Sequence, residues 1–138
     1  AGLSPSELVV YKYEDQGVAT LEDGLYVLEK NLRNKAFVDK MARFLRASIK
    51  GWKYAADHPD EAADIVLEND DTGAQTEKHQ RRMMREINKL VGSQPQGIGY
   101  LIPADYNRTV KVLMATDSTP VITKKPKGAW SHIIWDAM

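Results

Sequence analysis

Two adjacent carboxylates, Glu14 and Asp15, are the side chains of this sequence whose types and placement best suit small-molecule recognition. They lie in the polar stretch 13–17, which is predicted to be a turn in which Gly17 adopts a positive φ. A carboxylate on a turn accepts hydrogen bonds from an aminopyrimidine or an ammonium group. It repels a sulfonate or nitrate, for which backbone N–H groups or arginines are better partners. The alternative is that these carboxylates bond to their own backbone.

Tyrosines flank the same region of the sequence at Tyr11, Tyr13 and Tyr26. Aromatic side chains suit the walls of a site for a planar ligand. We therefore predict that Tyr13 and Tyr26 contact a ligand together with the carboxylates Glu14 and Asp15. The alternative is that the tyrosines are half-buried residues of β-strands.

The residue types that catalysis or metal binding would need are poorly represented. The sequence contains no cysteine. Its three histidines lack the i, i+4 spacing of a helical zinc site; they are His58, His79 and His132. Ser131 precedes His132, but adjacency in sequence does not make a catalytic dyad. No glycine-rich phosphate loop or nucleophile motif occurs. We therefore expect a binding protein without catalytic residues, metal or cofactor.

The overall composition argues against nucleic acid as a partner. The chain has 138 residues, 43% of them hydrophobic, and its 19 basic side chains balance its 19 acidic ones. No apolar run reaches the roughly 18 residues of a membrane-spanning helix. The first residues do not form a secretion signal, so export would require a signal outside this sequence.

The elements that would position these side chains are two strands followed by helices. β-Branched and aromatic residues predict strands at 8–11 and 25–28. Apolar residues at helical spacing predict a long helix from Lys35, ended by His58-Pro59. Further helices are predicted from Pro59, over Glu77–Val91, from Pro103 and near the end. Gly51, inside the long helix, predicts close approach of another backbone element.

The segment 44–67, FLRASIKGWKYAADHPDEAADIVL, resembles a signature of periplasmic solute-binding proteins. These proteins serve ABC importers of taurine and other sulfonates, nitrate, and thiamine pyrimidine precursors. The resemblance extends from about Glu7 to Trp135, and includes the turn at 14–17. Family members often have tyrosine where this chain has Gln16, so that aromatic contact is absent here. The matching residues of the signature are Phe44, Leu45, Ala47, Lys50, Gly51, Trp52, Ala55, Pro59, Glu61, Ala62 and Ala63.

The resemblance implies an α/β fold, namely a helix-rich fragment of the periplasmic binding protein type II fold. The chain resembles the C-terminal half of a two-lobed protein, with 1–28 as the strand and hinge part and 29–138 as the helical part. The implied function is transport without catalysis: the lobes close on a small molecule in the periplasm and the closed form docks on an ABC permease. Helix faces without a sheet would be exposed, and a homo-oligomer would cover them.

Two other functions remain open from the sequence. The same fold family includes a thiamine pyrimidine synthesis enzyme, but that group carries a cysteine-rich iron-binding pattern and this chain has no cysteine. The second alternative is a helical self-associating interaction module without a ligand. It would dimerise through the apolar stripe of the long helix, which contains Phe37, Met41, Phe44 and Trp52.

Overall fold

Helices dominate the part of the chain that the computed structural model describes, which is residues 4–92, 95–115 and 119–138. The α-helices in these ranges are α1 Lys35–Asp57, α2 Pro59–Glu68, α3 Glu77–Val91, α4 Pro103–Met114 and α5 Ile133–Asp136. The 3-10 helices in the same ranges are Pro5–Glu7, Glu14–Gln16 and Glu29–Arg33. The helix-rich character predicted from the sequence is therefore confirmed.

The chain forms two compact units. The first unit comprises Ala1–Leu25 and Leu101–Trp130, and the second comprises Tyr26–Tyr100 and Ser131–Met138. Each unit therefore combines segments that are distant in sequence.

In the first unit, α4 holds the segment that follows the turn at 14–17. Arg108 Nε donates a hydrogen bond to the Ala19 carbonyl at 2.7 Å, and the Leu21 N–H donates to Thr109 Oγ1 at 2.8 Å. Val110 of α4 is buried. These bonds fix residues 19–21 against one side of α4.

In the second unit, α1 begins and ends where the sequence predicts. The Asn34 side chain caps its first turn by accepting a hydrogen bond from the Phe37 N–H at 3.3 Å. It ends at Asp57 because His58 precedes Pro59 and leaves the helical conformation. Val38 and Ala42 are the buried residues of this helix, and they lie four positions apart on one face.

The helices α2 and α3 are joined by an ion-pair cluster around Arg81. Arg81 Nη2 lies 2.6 Å from Asp64 Oδ1, and Arg81 Nε lies 2.9 Å from Glu77 Oε1. Arg85 Nη2 contacts Asp60 Oδ1 at 2.8 Å. Because Asp60 and Asp64 belong to α2 and both arginines to α3, the cluster holds the two helices together.

The loop between α2 and α3 is organised by Asp70. Its Oδ1 accepts hydrogen bonds from the Thr72 hydroxyl and N–H, and its Oδ2 accepts one from the Gln75 N–H at 2.8 Å. The Thr72 hydroxyl, and after it the Gln75 N–H, hold the pKa of Asp70 below its ordinary value. Thr76 then caps α3 by accepting from the His79 N–H, as its position in the sequence predicts.

The strands predicted at 8–11 and 25–28 do not form, and no strand occurs in the described ranges. Both segments are largely exposed, with Val9 80% and Tyr26 82% exposed. β-Branched and aromatic residues favour strands because they pack on a pleated, half-buried surface, and a strand also requires a ladder partner. Neither segment has one here. Segments 8–11 and 25–28 are irregular, so the described ranges show the predicted helix-rich part of the fold and not the strands of its α/β class.

The prediction that another backbone element closely approaches Gly51 is also wrong for the described residues. No atom outside the helix lies within 4 Å of the position that a Cβ at Gly51 would occupy. A side chain, not a backbone element, closely approaches another glycine, Gly97. A Cβ at Gly97 would lie 3.5 Å from Cη2 of the Trp135 ring. Gly97 also has a φ of 106°, which glycine adopts readily.

Candidate functional site

The predicted turn at 13–17 is present in the first unit. Glu14–Gln16 forms a 3-10 helix, and Gly17 ends it with a φ of 73°. The Gly17 N–H donates to the Glu14 carbonyl at 3.3 Å, and the Val18 N–H donates to the Tyr13 carbonyl at 3.1 Å. The turn and the positive φ at Gly17 are thus confirmed.

The side chains of this turn face solvent. In the part of the chain that the structure describes, the carboxylates of Glu14 and Asp15 accept no hydrogen bond and form no ion pair. Their backbone-bonding alternative is therefore not seen. Tyr13 is 75% exposed, which also excludes the half-buried strand position considered for it. The turn consequently presents two carboxylates and a phenol on an open surface.

The predicted ligand residues are divided between the two units. Tyr13, Glu14 and Asp15 are consecutive in the turn of the first unit, whereas Tyr26 begins the second unit. The contribution of Tyr26 to a ligand site stays a prediction from the sequence.

A concave site that the sequence did not predict lies in the second unit. It is a cleft of about 420 Å³ formed by α1, α3, the 97–98 turn and α5, and we call it the tryptophan cleft. Its lining is mostly apolar. The lining residues are Ile49, Trp52, Lys53, Ala56, Asn88, Val91, Gly92, Gly97, Ile98 and Trp135.

One wall of the tryptophan cleft, the Trp135 indole, is held on two sides. The backbone at Gly97 and Gly99 approaches the ring, since a Cβ at these positions would lie 3.5 Å and 3.9 Å from it. Tyr100 meets the same indole edge-on, with ring centroids 5.4 Å apart, and His132 stacks on Tyr100 at 4.4 Å. Glycines at 97 and 99 were the sequence signal for this packing, but they do not reveal which ring would fill the space.

Asn88 is a polar residue of the cleft lining that links two helices. Its Nδ2 donates a hydrogen bond to the Ala55 carbonyl at 2.8 Å, which links α3 to α1. Its Oδ1 is buried and has no hydrogen-bond donor within the described residues. Because it is buried, this oxygen is not exposed to the cleft.

A second, more open cavity of about 400 Å³ lies in the first unit along α4. Lys111 and Lys125 border it, and Val110 and Met114 supply apolar surface. It does not include the carboxylates of the turn at 13–17.

Among the described residues, no three His, Cys, Asp or Glu side chains are grouped so that they could hold a metal ion. None of the helices there is both long and apolar enough to cross a membrane.

Comparison with known proteins gave one match. Residues 3–62 match the family model described as NMT1/THI5 like. The searches of curated proteins and of solved structures returned no match. The matched range includes the turn at 13–17, the whole of α1 and the start of α2. It supports, for this part of the chain, a similarity to the substrate-binding proteins of ABC importers.

Proposed function

We propose that the chain is part of a solute-binding protein of an ABC importer and that it binds a small molecule without transforming it. The observation that carries this proposal is the family match over residues 3–62, which includes the 44–62 part of the signature with Gly51-Trp52 and Pro59. In this proposal the protein works in the periplasm and delivers its ligand to a permease. The chain corresponds to the C-terminal half of the two-lobed proteins, with 1–28 as strand and hinge part and 29–138 as helical part.

The exposed segments of the chain support its assignment as one half of a larger binding protein. Residues 8–11 and 25–28 have the composition of strands but lack a ladder partner among the described residues. A second half would supply the sheet that these segments need. The type II binding-protein fold would then be completed by residues outside this sequence.

The carboxylates of the turn favour one ligand class over the others. Glu14 and Asp15 are exposed and accept no hydrogen bond in the described structure, so they are available to a ligand that carries N–H donors. An aminopyrimidine, as in thiamine precursors, offers such donors, and the Tyr13 phenol ring is a suitable neighbour. Tyr26 is a further predicted contact. Sulfonate and nitrate would be repelled by the two negative charges.

A thermal-shift panel tests the proposed function. The ligands are an aminopyrimidine thiamine precursor, taurine, an alkanesulfonate and nitrate. A ligand that binds only the folded chain raises its stability by about 2.7 kcal/mol at roughly one hundred times its dissociation constant. We expect the aminopyrimidine to raise Tm. Mass spectrometry of the recovered ligand should show it unchanged, and a converted ligand would contradict the non-enzymatic part of the proposal.

Matched variants identify the site in the same panel. The double variant Glu14→Gln, Asp15→Asn should lose the shift because both carboxylates become neutral amides. The double variant Glu22→Gln, Asp23→Asn removes the same charge from an exposed pair nearby in the sequence and should keep it. An equal loss in both variants would mean that net charge, rather than the turn at 13–17, is responsible.

A second candidate function is self-association without a ligand, and the exposure of the α1 stripe favours it. Phe44 is 55% and Trp52 41% exposed, although both lie on the apolar stripe of that helix. A second copy covering this stripe, together with Phe37 and Met41, would remove these rings from water. Light scattering over a concentration series tests this candidate. A rising mass that Phe44→Ser abolishes would support it, and a constant monomer mass would contradict it.

A further inference from the structure

Residues 22–27 connect two hydrogen-bonded parts of the chain, and they make no hydrogen bond in the described structure. Before them, the Leu21 N–H donates to Thr109 Oγ1 at 2.8 Å. After them, the Leu28 carbonyl accepts from the Asn31 N–H at 2.9 Å. The residues between these two bonds, among them Asp23 and Gly24, are mostly exposed. Their backbone can therefore change conformation without breaking a hydrogen bond of the described structure.

We propose that Asp23 and Gly24 form a site of spontaneous covalent modification, at which Asp23 becomes isoaspartate. The Gly24 amide nitrogen attacks Cγ of the protonated Asp23 side chain. A C–N bond forms, and the carboxyl hydroxyl leaves as water with the amide hydrogen, which closes a succinimide ring. Water then opens the ring at one of its two carbonyl carbons. Opening at Cγ restores aspartate, whereas opening at the main-chain carbonyl leaves the chain linked through Cγ as isoaspartate.

The modification goes beyond the proposed function and does not depend on it. The reaction needs only solvent water, and no ligand or second protein takes part. The product keeps one carboxylate at residue 23, so the net charge is unchanged, but its backbone is longer by one carbon atom. Isoaspartate formation and ligand binding at the turn at 13–17 can therefore each fail without the other.

The residue that follows an aspartate determines how readily the ring closes. Glycine has no Cβ, so it leaves the attacking nitrogen uncrowded and allows backbone conformations that other residues disfavour. Among all the aspartates and asparagines of this sequence, Asp23 alone is followed by glycine. The sequence thus favours ring closure at this position over the others.

The structure also leaves the attacking amide free. At Asp71, the other exposed aspartate of a loop, the next N–H is that of Thr72, and it donates to Asp70 Oδ1 at 3.0 Å. The Gly24 N–H has no acceptor among the described residues. A hydrogen-bonded N–H must give up its acceptor before its nitrogen can attack, and the Gly24 nitrogen has no such acceptor to give up.

Incubation in ¹⁸O-labelled water tests the reaction on the intact chain, because ring opening places one solvent oxygen at residue 23. The buffer has about pH 5, where more carboxyl groups are protonated than at neutral pH. Trypsin then releases the peptide 13–30, since Lys12 and Lys30 precede its two cuts. Electron-transfer fragmentation of this peptide distinguishes isoaspartate from aspartate and separates residue 23 from Asp15. We expect ¹⁸O and isoaspartate at residue 23 and neither at Asp15.

Asp15 is an internal control in the same peptide. Its next N–H, that of Gln16, donates to the Tyr13 carbonyl at 3.1 Å and belongs to a residue with a side chain. Both features oppose ring closure there. Conversion at Asp15 equal to that at Asp23 would overturn the inference, because neither glycine nor a free amide would then matter.

Three variants test the chemistry at the site itself. Gly24→Ala keeps the carboxyl and adds a Cβ beside the attacking nitrogen, so conversion should slow severalfold. Asp23→Glu would need a larger ring and should show no conversion. The double variant Glu22→Gln, Asp23→Asn, which is the charge control of the ligand panel, should convert faster because a neutral amide is attacked more readily than a carboxylate. It regains a charge as it reacts, so the ligand panel uses it freshly purified.

A synthetic peptide of residues 19–28 supplies the rate for an unrestrained chain. We expect Asp23 of the intact chain to convert within about tenfold of the rate in the peptide, because no hydrogen bond has to open first. A slower rate in the intact chain would mean that its structure restrains residues 22–27, and it would overturn the inference. A Gly24→Ala chain that converts as fast as the unsubstituted chain would overturn it too.

Discussion

At the scale of single residues, Asp70 shows how one carboxylate organises a loop. Its two oxygens accept from Thr72 and Gln75, and these donors stabilise the ionised form. The folded-state pKa is therefore lowered from its ordinary value of 3.8. A group with a lowered folded pKa stabilises the fold above its unfolded pKa, and this contribution is lost as the pH falls through the folded value.

We predict that Asp70→Asn lowers Tm at neutral pH and that its disadvantage disappears in acid. The amide keeps one acceptor oxygen where the carboxylate has two, so the loop loses part of its bonding. As the pH falls below the ordinary value of 3.8 and then through the lower folded-state pKa of Asp70, the native carboxyl becomes protonated and the two chains converge. Thermal unfolding at about pH 7 and about pH 2.5 measures this. Asp71→Asn, the neighbouring exposed carboxyl, is the control. A difference that persists unchanged at acid pH would contradict the assignment.

The most buried residue of the described core, Ala63 at 0% exposure, makes a second prediction at this scale. Ala63→Leu inserts a larger side chain where no space exists, so we expect unfolding to require about 1–3 kcal/mol less free energy. Ala47→Leu, at an exposed position of α1, should change stability by less than about 0.5 kcal/mol. Urea unfolding of both variants decides the matter. Similar free energies of unfolding for the two variants would mean that α2 is not packed as described.

At the scale of elements, the α2–α3 pair depends on charge as well as on apolar contact. Arg81 is the only described side chain that pairs with Asp60, Asp64 and Glu77 together. We predict that Arg81→Met lowers Tm more than Arg82→Met, which removes the same charge at the next position of α3 without breaking an ion pair in the described structure. High salt should reduce the difference, because exposed ion pairs are screened. Equal Tm values for the two variants would contradict the conclusion that the ion pairs of Arg81 hold α2 and α3 together.

The elements also show how far the sequence predicts the fold. The helices followed from local information: apolar spacing, the caps at Asn34 and Thr76, and Pro59 as a helix start. The predicted strands at 8–11 and 25–28 did not form, because a strand needs a ladder partner that β-propensity cannot specify. The predicted site shows the same contrast. The turn at 13–17 is local and was predicted, whereas the tryptophan cleft joins residues more than eighty positions apart, such as Trp52 and Trp135, and was not.

At the scale of the whole molecule, few apolar side chains are buried in the part of the chain that the structure describes. Among the described residues the buried hydrophobic ones are Val38, Ala42, Ala62, Ala63 and Val110. We predict uneven protection in amide hydrogen exchange. The amides of 8–11 should exchange fast because they have no backbone acceptor in the described structure, and those of α2 and α3 should be the slowest. Slow exchange at 8–11 in the isolated chain would contradict the absence of a strand there.

The proposed function belongs to this scale too, since it treats the chain as one half of a two-lobed binding protein. The matched residues 3–62 include the turn at 13–17, so a ligand held there is the most direct consequence of that proposal. In that proposal one half alone binds more weakly than both lobes together, because lobe closure adds contacts from the second lobe.

The decisive measurement is a titration of the ¹⁵N-labelled chain with the aminopyrimidine thiamine precursor, followed through the backbone signals of 14–17. We predict saturable shifts at these amides, absent in the Glu14→Gln, Asp15→Asn variant and retained in the Glu22→Gln, Asp23→Asn variant. Unmoved signals at 14–17 up to millimolar ligand, or shifts that survive neutralisation of both turn carboxylates, would contradict a ligand site at this turn.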